Sequence, residues 1–575
     1  MLIPNTLPGS TIITQDPNLT IPPPVTSGPT VLVIGQALDG PVDVPVGINN
    51  LVNIESLFGP LLYTSAYPSP DGDPGKIGTF SGNTLVKTIR EVLSGGGTNI
   101  IAVRTGGNKA TSGPIFSGLL NVSSLYPGNI YNGASLNYSA DPVTGTSISC
   151  TQPNLKGQPF TMTFTPLTTF DTVCSAFNND LRNSSFRLTS APAASLSNAV
   201  TTASSGTVIL GATLPTAGTN GTLRDDFAGL TKEALFTRLT KTGGTFDLIS
   251  GTVADIVTIG GIYADDCVNP AGTPGAAQQS FLTNFAQYCF NESMNSYPQI
   301  GVIGVSPLRS VDNPTIAARV ASLSDPTLTG FADTAAYKLS LGQFLQNGIV
   351  GVGSSGSTAD IGGYLSVVAG PDLIFSDAKL GQYSDSGSGV YAGILSSLAV
   401  QRGATNVPLP AVLSTTYRLT RSQRNILNAG VGYGSRNVPS GGGAYVTFSY
   451  SSLLASVPSL VVTSDVSACR RDSVYGQTQH LRIVQAAEKL VDLIAYGFIG
   501  QPNNASTLMA LDSQLQRALD SMVSTGALNG GKGSGYLYAI NPGSSSNGTL
   551  GVINITLQLR PAYEIMSIIT TVSVV

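Results

Sequence analysis

Charge is what this sequence has least of. Asp, Glu, Lys and Arg make up 10% of its 575 residues, against roughly a quarter in an average soluble domain. The formal net charge is −4, and no run of Lys and Arg exceeds Arg470-Arg471. That argues against a nucleic-acid binder, which depends on a basic face or stripe, and leaves room only for a local basic patch. Long apolar runs are missing as well. Mean hydropathy is positive, +0.19, yet no uninterrupted stretch approaches the ~20 apolar residues of a spanning helix. The opening segment, MLIPNTLPGSTIITQDPNLT, has neither the basic n-region nor the apolar h-region of a secretory signal. Cysteine is sparse and odd in number: Cys150, Cys174, Cys267, Cys289 and Cys469 lie far apart with no CxxC pair. Such spacing argues against a zinc site or a disulfide scaffold and for reduced, buried thiols in a protein made in the cytosol. A single histidine, His480, would have to serve any Ser-His-Asp or Cys-His arrangement. It opens an amphipathic segment beside Leu481, where a packed or solvated imidazole is the ordinary role.

The remaining candidates for chemistry fail on context. Gly526-Ala-Leu-Asn-Gly-Gly-Lys532 approaches the phosphate-loop pattern, but Gly533 stands where Ser or Thr should meet Mg²⁺, and the loop follows a helix. A helix stop and a turn explain it. Asp265-Asp266 and the group Asp372, Asp377 and Asp385 lack the spacing of a calcium loop and read as turn and cap residues. Gly351–Gly356 and Gly441–Gly443 lack the strand and helix context of a dinucleotide site. Asn-x-Ser/Thr triplets such as Asn18-Leu19-Thr20 follow from the abundance of Asn, Ser and Thr. No catalytic, cofactor-binding or metal residue is therefore assigned, and an enzyme is not expected. A glycan or peptide hydrolase stays open only within 112–248, where nothing singles out a carboxylate pair.

What the chain has instead is 66 Gly, 35 Pro and abundant uncharged polar residues. A surface poor in charge repels copies of itself weakly, which suits a protein packed against others. A β-rich secreted adhesin with a Ser/Thr surface has the same composition, and composition does not separate the two.

Residues 1–29 are dense in proline, and proline favours extended backbone, so they read as an arm. Thr11 and the apolar Ile12, Ile13, Leu19 and Ile21 are its candidate contacts. At about 3.3 Å per residue, some 20 residues reach on the order of 60 Å, enough to touch a neighbour. An α/β unit follows over 30–111: strand Thr30–Gly35, helix Asn49–Phe58, helix Asn83–Leu93, a glycine stop and strand Asn99–Arg104. From 112 to 248 short alternating pieces between Gly, Pro, Asn and Ser predict an inserted, peripheral β-rich domain with one helix near Phe170–Leu181. The α/β texture returns over 249–460, with strands Ile256–Gly260, Ile300–Val305 and Gly362–Val368 and helices Phe281–Met294, Pro314–Leu323 and Tyr391–Gln401. A C-terminal domain over 461–563 holds two amphipathic helices, Gln479–Tyr496 and Thr507–Ser524, then strands Tyr536–Ile540 and Thr549–Leu559. The last segment, 564–575, has strong β propensity to the final residue. Left unpaired it would be an aggregation hazard, so it needs a partner strand in this chain or another. The fold class is thus multi-domain α/β (α+β): a mixed core built from N- and C-terminal parts, an inserted β-rich domain and extended terminal arms.

Three stretches resemble the tail sheath family of contractile phages, pyocins and type VI secretion systems. Val31–Gly35, Gly40-Pro41-Val42 and Asn49–Gly59 are similar to the family's opening strand, "GP" turn and short helix ending in Phe-Gly. Leu85–Gly97 into Ile101-Ala-Val-Arg104 resembles its helix, glycine stop and strand closed by a basic residue. Pro127-Gly128 with Asn132-Gly133 is similar to its "PG…GN" segment, although Asn and Gly are split differently. Gly526-Ala527-Leu528-Asn529-Gly530, a strand, Asn547-Gly548, a strand and Arg560–Ile565 are similar to its C-terminal domain. The resemblance covers both ends well and the middle weakly.

It implies a structural subunit that stacks in homo-oligomeric rings around an inner tail tube protein and contracts to drive the tube into a host envelope. Terminal arms would add strands to neighbours' sheets, with Glu564, Ile565, Ile568, Ile569, Val572 and Val574 forming the C-terminal strand. Baseplate and tail terminator proteins would be further partners, with no direct nucleic acid contact, no membrane insertion and no cofactor. Such a protein would reside in the virion after synthesis in the bacterial host cytoplasm. By the same analogy a C-terminal helix faces the tube, with Arg482, Lys489, Asp512, Arg517 and Asp520 as its candidate charges; a solvated helix face explains them as well. Another multimeric virion component, such as a baseplate or fibre protein, or a β-rich surface adhesin is the alternative.

Overall fold

A computed structural model describes residues 29–37, 39–48, 51–59, 83–105, 111–116, 119–125, 134–151, 158–183, 185–190, 203–210, 232–264, 276–305, 307, 320, 341, 345, 349–352, 358–377, 381–409, 411–428, 445–451, 459–469, 475–542 and 553–563. Short apolar, β-branched runs build its frame. β1 (Val31–Gly35), β2 (Val46–Ile48), β3 (Ile100–Arg104), β4 (Ile256–Ile259), β5 (Ile300–Gly304), β6 (Leu365–Gly370), β7 (Tyr445–Ser451) and β8 (Ser459–Val462) form one eight-stranded sheet, in the order β2-β3-β1-β4-β5-β6-β7-β8. Pairing is parallel from β3 to β7, with β2 and β8 added antiparallel at the two edges.

Both faces of this sheet are covered, which explains why its strands read as continuous apolar runs rather than alternating ones. Leu32 and Ile34 point into one core with Phe281, Leu282 and Phe285 of α3 (Ala276–Met294). Val31 and Val33 point into the other, against α2 (Thr84–Ser94) and α4 (Ser388–Ser397). Each such buried side chain contributes about 1.5–3 kcal/mol. Helices α2 and α4 touch through glycine: a Cβ at Gly393 would lie 2.1 Å from the Val92 carbonyl oxygen. Asn83 joins α1 (Leu51–Phe58) to α2, since its side chain caps the Val86 N–H and donates to the carbonyls of Phe58 and Gly59. The "GP" turn and the basic strand end of the resemblance meet here. Buried Arg104 donates to the Gly40 carbonyl over 2.8 Å.

The segment after β3 has its own core. Strands Thr111–Ile115, Leu120–Ser124 and Phe186–Ser190 make one sheet, and Ser204–Ile209, Ser135–Asp141, Gly145–Thr151 and Phe160–Phe164 another. Phe116, Phe170 and Phe177 fill the space between them and helix Phe170–Asn178. This core runs from Ile115 to Leu210. The expected insert boundary at 248 is too late, because Leu235, Phe236, Leu239, Phe246 and Ile249 are buried with α3 against the central sheet. Their attachment is also polar, since Arg238 and Thr245 donate to Asp43 beside the "GP" turn.

Two further expectations shift. The small-residue helix starts at Ser388, not Tyr391, and ends at Ser397. The run Gly362–Val368 divides into a short 3-10 turn, Gly362–Tyr364, and strand β6. Helix Pro314–Leu323 falls largely outside the described residues. The C-terminal unit consists of α5 (Thr478–Tyr496), α6 (Ala505–Ser524) and the antiparallel pair β9 (Tyr536–Pro542) and β10 (Ile553–Leu559). Its expected start at 461 is too early. Val461 pairs within the central sheet, and Val466 and Ala468 belong to the main cores.

Candidate assembly interface

Helix α5 is shared between the body and the C-terminal unit. Its first turns are locked into the body by polar contacts. Arg482 donates to the carbonyls of Leu395 and Leu398, each at 2.8 Å, and to that of Arg402 at 3.3 Å. A buried guanidinium thereby satisfies carbonyls at the end of α4 that no helical N–H can reach. Burial pulls its pKa down, with Asp465, Tyr391 and Asp255 opposing the shift. Gln485 donates to the Gln299 carbonyl and to Ser293, and Thr478 meets Ser366. Further along, Ile483, Ala487 and the flanking Leu490, Val491 and Ile494 turn toward Leu511, Leu515, Leu519 and Met522 of α6 and toward Tyr536 and Tyr538 of β9.

Two carboxylates hold the β9–β10 pair on α6. The hydroxyls of Tyr536 and Tyr538 donate to Asp520 and Asp512, each over 2.6 Å. Burial and then these carboxylate acceptors push both phenols above their ordinary pKa. Lys532 adds a cation over the Tyr538 ring, 4.5 Å from its centroid. One face of the pair carries Tyr536, Tyr538, Ile540, Ile553, Ile555, Leu557 and Leu559. The tyrosines are buried, but all four apolar side chains of β10 are only partly covered. Pairing continues past β10, where the N–H of Asn529 donates to the Arg560 carbonyl and that of Ala562 to Ala527, both at 2.9 Å. All of these bonds lie on the β9 side. The opposite edge of β10 has no partner strand among the described residues. The last described residue, Tyr563, has its ring edge-on to His480 of α5, with centroids 4.5 Å apart.

Thr30, near the other limit of the described residues, is linked to the same helix. The Thr30 N–H donates to Oδ2 of Asp255 over 2.7 Å, while Lys489 of α5 reaches Oδ1 of the same carboxylate at 3.0 Å.

The place where an open parallel sheet ordinarily takes a ligand, between the carboxyl ends of strands at a reversal of strand order, is filled. Here it lies between β1 and β4. Cβ atoms at Gly35 and Gly260 would come within 2.9 Å of Leu85 backbone and 2.6 Å of the Thr84 carbonyl, so only glycine admits the first turn of α2. Behind it Lys87 pairs with Asp385, which also accepts from Tyr263. Burial, then Asp385, raises Glu91 well above the usual carboxylate range, while Asp385, against the pull of burial, is lowered by Lys87.

No protein-family model matches the sequence, and no curated protein matches it either. Among solved structures, the sheath tail protein from Listeria innocua matches with a TM-score of 0.50 at 12% identity, over 93% of this chain and 92% of that one. The chain has the fold of a tail sheath protein. The sheath tail protein from Desulfitobacterium hafniense matches with a TM-score of 0.47 at 11% identity, over 96% and 100% of the two chains. The helical sheath of the anti-feeding prophage in its contracted state matches at 0.45 and 12%, over 99% of each.

Within the sheath fold, the residues singled out in the sequence fall in three places. Thr11, Ile12, Ile13, Leu19 and Ile21, and Glu564, Ile565, Ile568, Ile569, Val572 and Val574, lie outside the described residues. Four of the five helix charges have partners in the chain itself: Lys489 in Asp255, Asp512 and Asp520 in the tyrosines of β9, and Arg482 in main-chain carbonyls, while Lys489 and Asp520 stay exposed. Arg482 is buried and so is not a charge offered on a helix surface, which corrects that assignment. Arg517 is exposed. Asp255 was missed. Its signal, an aspartate directly before an apolar strand, is too common to single out. Among the described residues no group of metal-ligating side chains occurs, no helix is long and apolar enough to cross a membrane, and no disulfide joins the cysteines. Asp372 accepts from Thr416, and Asp385 is taken by Lys87. Asp265-Asp266 lie outside the described residues.

Proposed function

We propose that this chain is the subunit of a contractile tail sheath that polymerises around an inner tube by exchanging terminal strands. One observation carries the reading: β10 presents an edge with a half-covered apolar face, and the chain runs from it directly into a β-prone terminus. An added strand would gain main-chain hydrogen bonds, each about 0.5–1.5 kcal/mol net, and would bury the exposed sides of Ile553, Ile555, Leu557 and Leu559. Segments 1–29 and 564–575 supply such strands, and the insert built on its own core takes a peripheral place. The sheet crevice filled by α2 fits a protein whose work is assembly, without a catalytic or cofactor site. Contraction follows as passage between two packings of the same linked subunits, in a virion or related extracellular particle with tube, baseplate and terminator proteins as partners.

Negative-stain electron microscopy of the purified chain tests this. Tubes or ring stacks are expected from the full chain, and folded monomers after deletion of 1–20 or of 565–575. Assembly of the truncated chains as readily as the full one overturns strand exchange. Isolated rings without stacks point to a baseplate-like component.

A further inference from the structure

Thr30 and Tyr563, near the two limits of the described residues, are both joined to a single helix. Tyr563 sets its ring edge-on against His480 of α5, and Thr30 is tied to α5 through the Asp255 carboxylate and Lys489. Positions 480 and 489 are about 13 Å apart along a helix axis and fall on its opposite sides, at about 3.6 residues per turn. The helix between them is the one that Arg482 and Gln485 lock into the body and that Ile483 and Ala487 continue into the C-terminal unit.

We infer that α5 is a common mount for the two terminal segments, and that Asp255 is the positioning residue that fixes the N-terminal one to it. The carboxylate is suited to this because its two oxygens serve different structures. One accepts from the main chain at the point where the N-terminal segment becomes β1, the other from a side chain of α5, and both bonds are charge-assisted. Asp255 is itself held from behind, since its carbonyl accepts from the Ile300 N–H and its own N–H donates to the Thr30 carbonyl. Main chain on both sides of the carboxylate is therefore stationary. The direction in which residues before Thr30 set out is then set relative to the β10 edge, not left to a free linker. A subunit giving one strand and receiving another needs that relation held, because an end that swivels dilutes its own strand at the neighbour's edge. This inference rests on the strand-exchange reading, and the following test separates the two.

Spin labels carried on non-natural residues at positions 29 and 509 of the full chain report the distance from the N-terminal root to the C-terminal unit. A single narrow distance distribution is expected for the unmodified chain. Asp255→Ala should broaden it, Lys489→Ala should do the same, and Asp255→Asn, which keeps an acceptor for Thr30, should fall between. The melting midpoint should stay within about 2 °C, since the contacts are at the surface. Asp255→Ala should also lower the yield of tubes about tenfold, with recovery in Asp255→Glu. An unchanged distribution in Asp255→Ala overturns the mount, and a broadened one with full tube yield overturns its role in assembly. Failure of the unmodified chain to form tubes overturns strand exchange instead, and the distances still decide the mount.

Discussion

The central sheet and the β9–β10 pair are made from similar residues and solve opposite problems. In the sheet both faces are covered, its apolar strands are closed in by α2, α3 and α4, and even its ligand crevice is occupied by a helix turn. In the pair one face alone packs, one edge lacks a partner among the described residues, and the apolar side chains of β10 are half-covered. A third region shows that open pairs are not the rule here. Strand Val350–Val352 pairs with Thr358–Asp360 on one side, and on the other the Gln287 amide donates to the Val352 carbonyl and accepts from its N–H, at 2.9 and 2.8 Å. One side chain stands in for a strand and closes that edge.

The largest way to break this contrast is to damage the sheet. Lys87→Ala leaves Asp385 buried without its cation and should cost about 3–5 kcal/mol, read by chemical denaturation as loss of the body's transition. Next comes the C-terminal unit. Leu515→Ala removes a buried side chain between α6 and the β9–β10 pair and should cost about 2–5 kcal/mol. Its effect should appear as faster hydrogen exchange in 487–559 while β1, β3 and β4 keep their protection.

A smaller effect is pH-dependent and lies where the two regions join. Burial, then neighbouring Asp492, raises Glu488 of α5 to about 7. A carboxyl raised in the folded state favours folding most below its ordinary value near 4.5. The stability it gives is lost as pH climbs toward 7 and changes no further above that. Thermal melts of the unmodified chain should therefore fall over that window, and Glu488→Gln should flatten the slope. The least effect on stability is expected of Gln287→Ala, within about 1 kcal/mol. It uncovers a strand edge, though, so light scattering on standing should rise. No rise would show that the Gln287 amide is not what keeps that edge closed.

The central elements were legible because their apolar runs are buried on both faces and punctuated by glycine. β1, β3, β4, β5, α2, α5 and α6 fall within a few residues of where periodicity put them. Strands β7 and β8 were not read, since Tyr445–Ser451 alternates with Ser and Thr that are themselves buried, as at Thr447. The hairpin of Leu373–Asp377 and Gly381–Asp385 was missed for a related reason. Its acidic residues resemble turn residues, and only the distant Lys87 explains Asp385. Among the helix charges Arg482 was misread for want of a partner: spacing alone could not show that it faces the end of α4, nor that Asp512 and Asp520 accept from tyrosines. Long-range pairing is what single-sequence periodicity leaves out.

The division of α5 between the body and the terminal unit has a thermodynamic side. Thr478, Arg482 and Gln485 contact the body, Ala487 and the apolar positions after it pack on the terminal unit, and Lys489 still reaches back to Asp255. The helix is thus divided into a part that melts with the body and a part that can fray with the terminal unit. The terminal unit can open as a separate cooperative block, with the Lys489–Asp255 pair as the natural stopping point. A subunit pulled hard by its neighbours would then yield there first and refold against a body that never lost its shape.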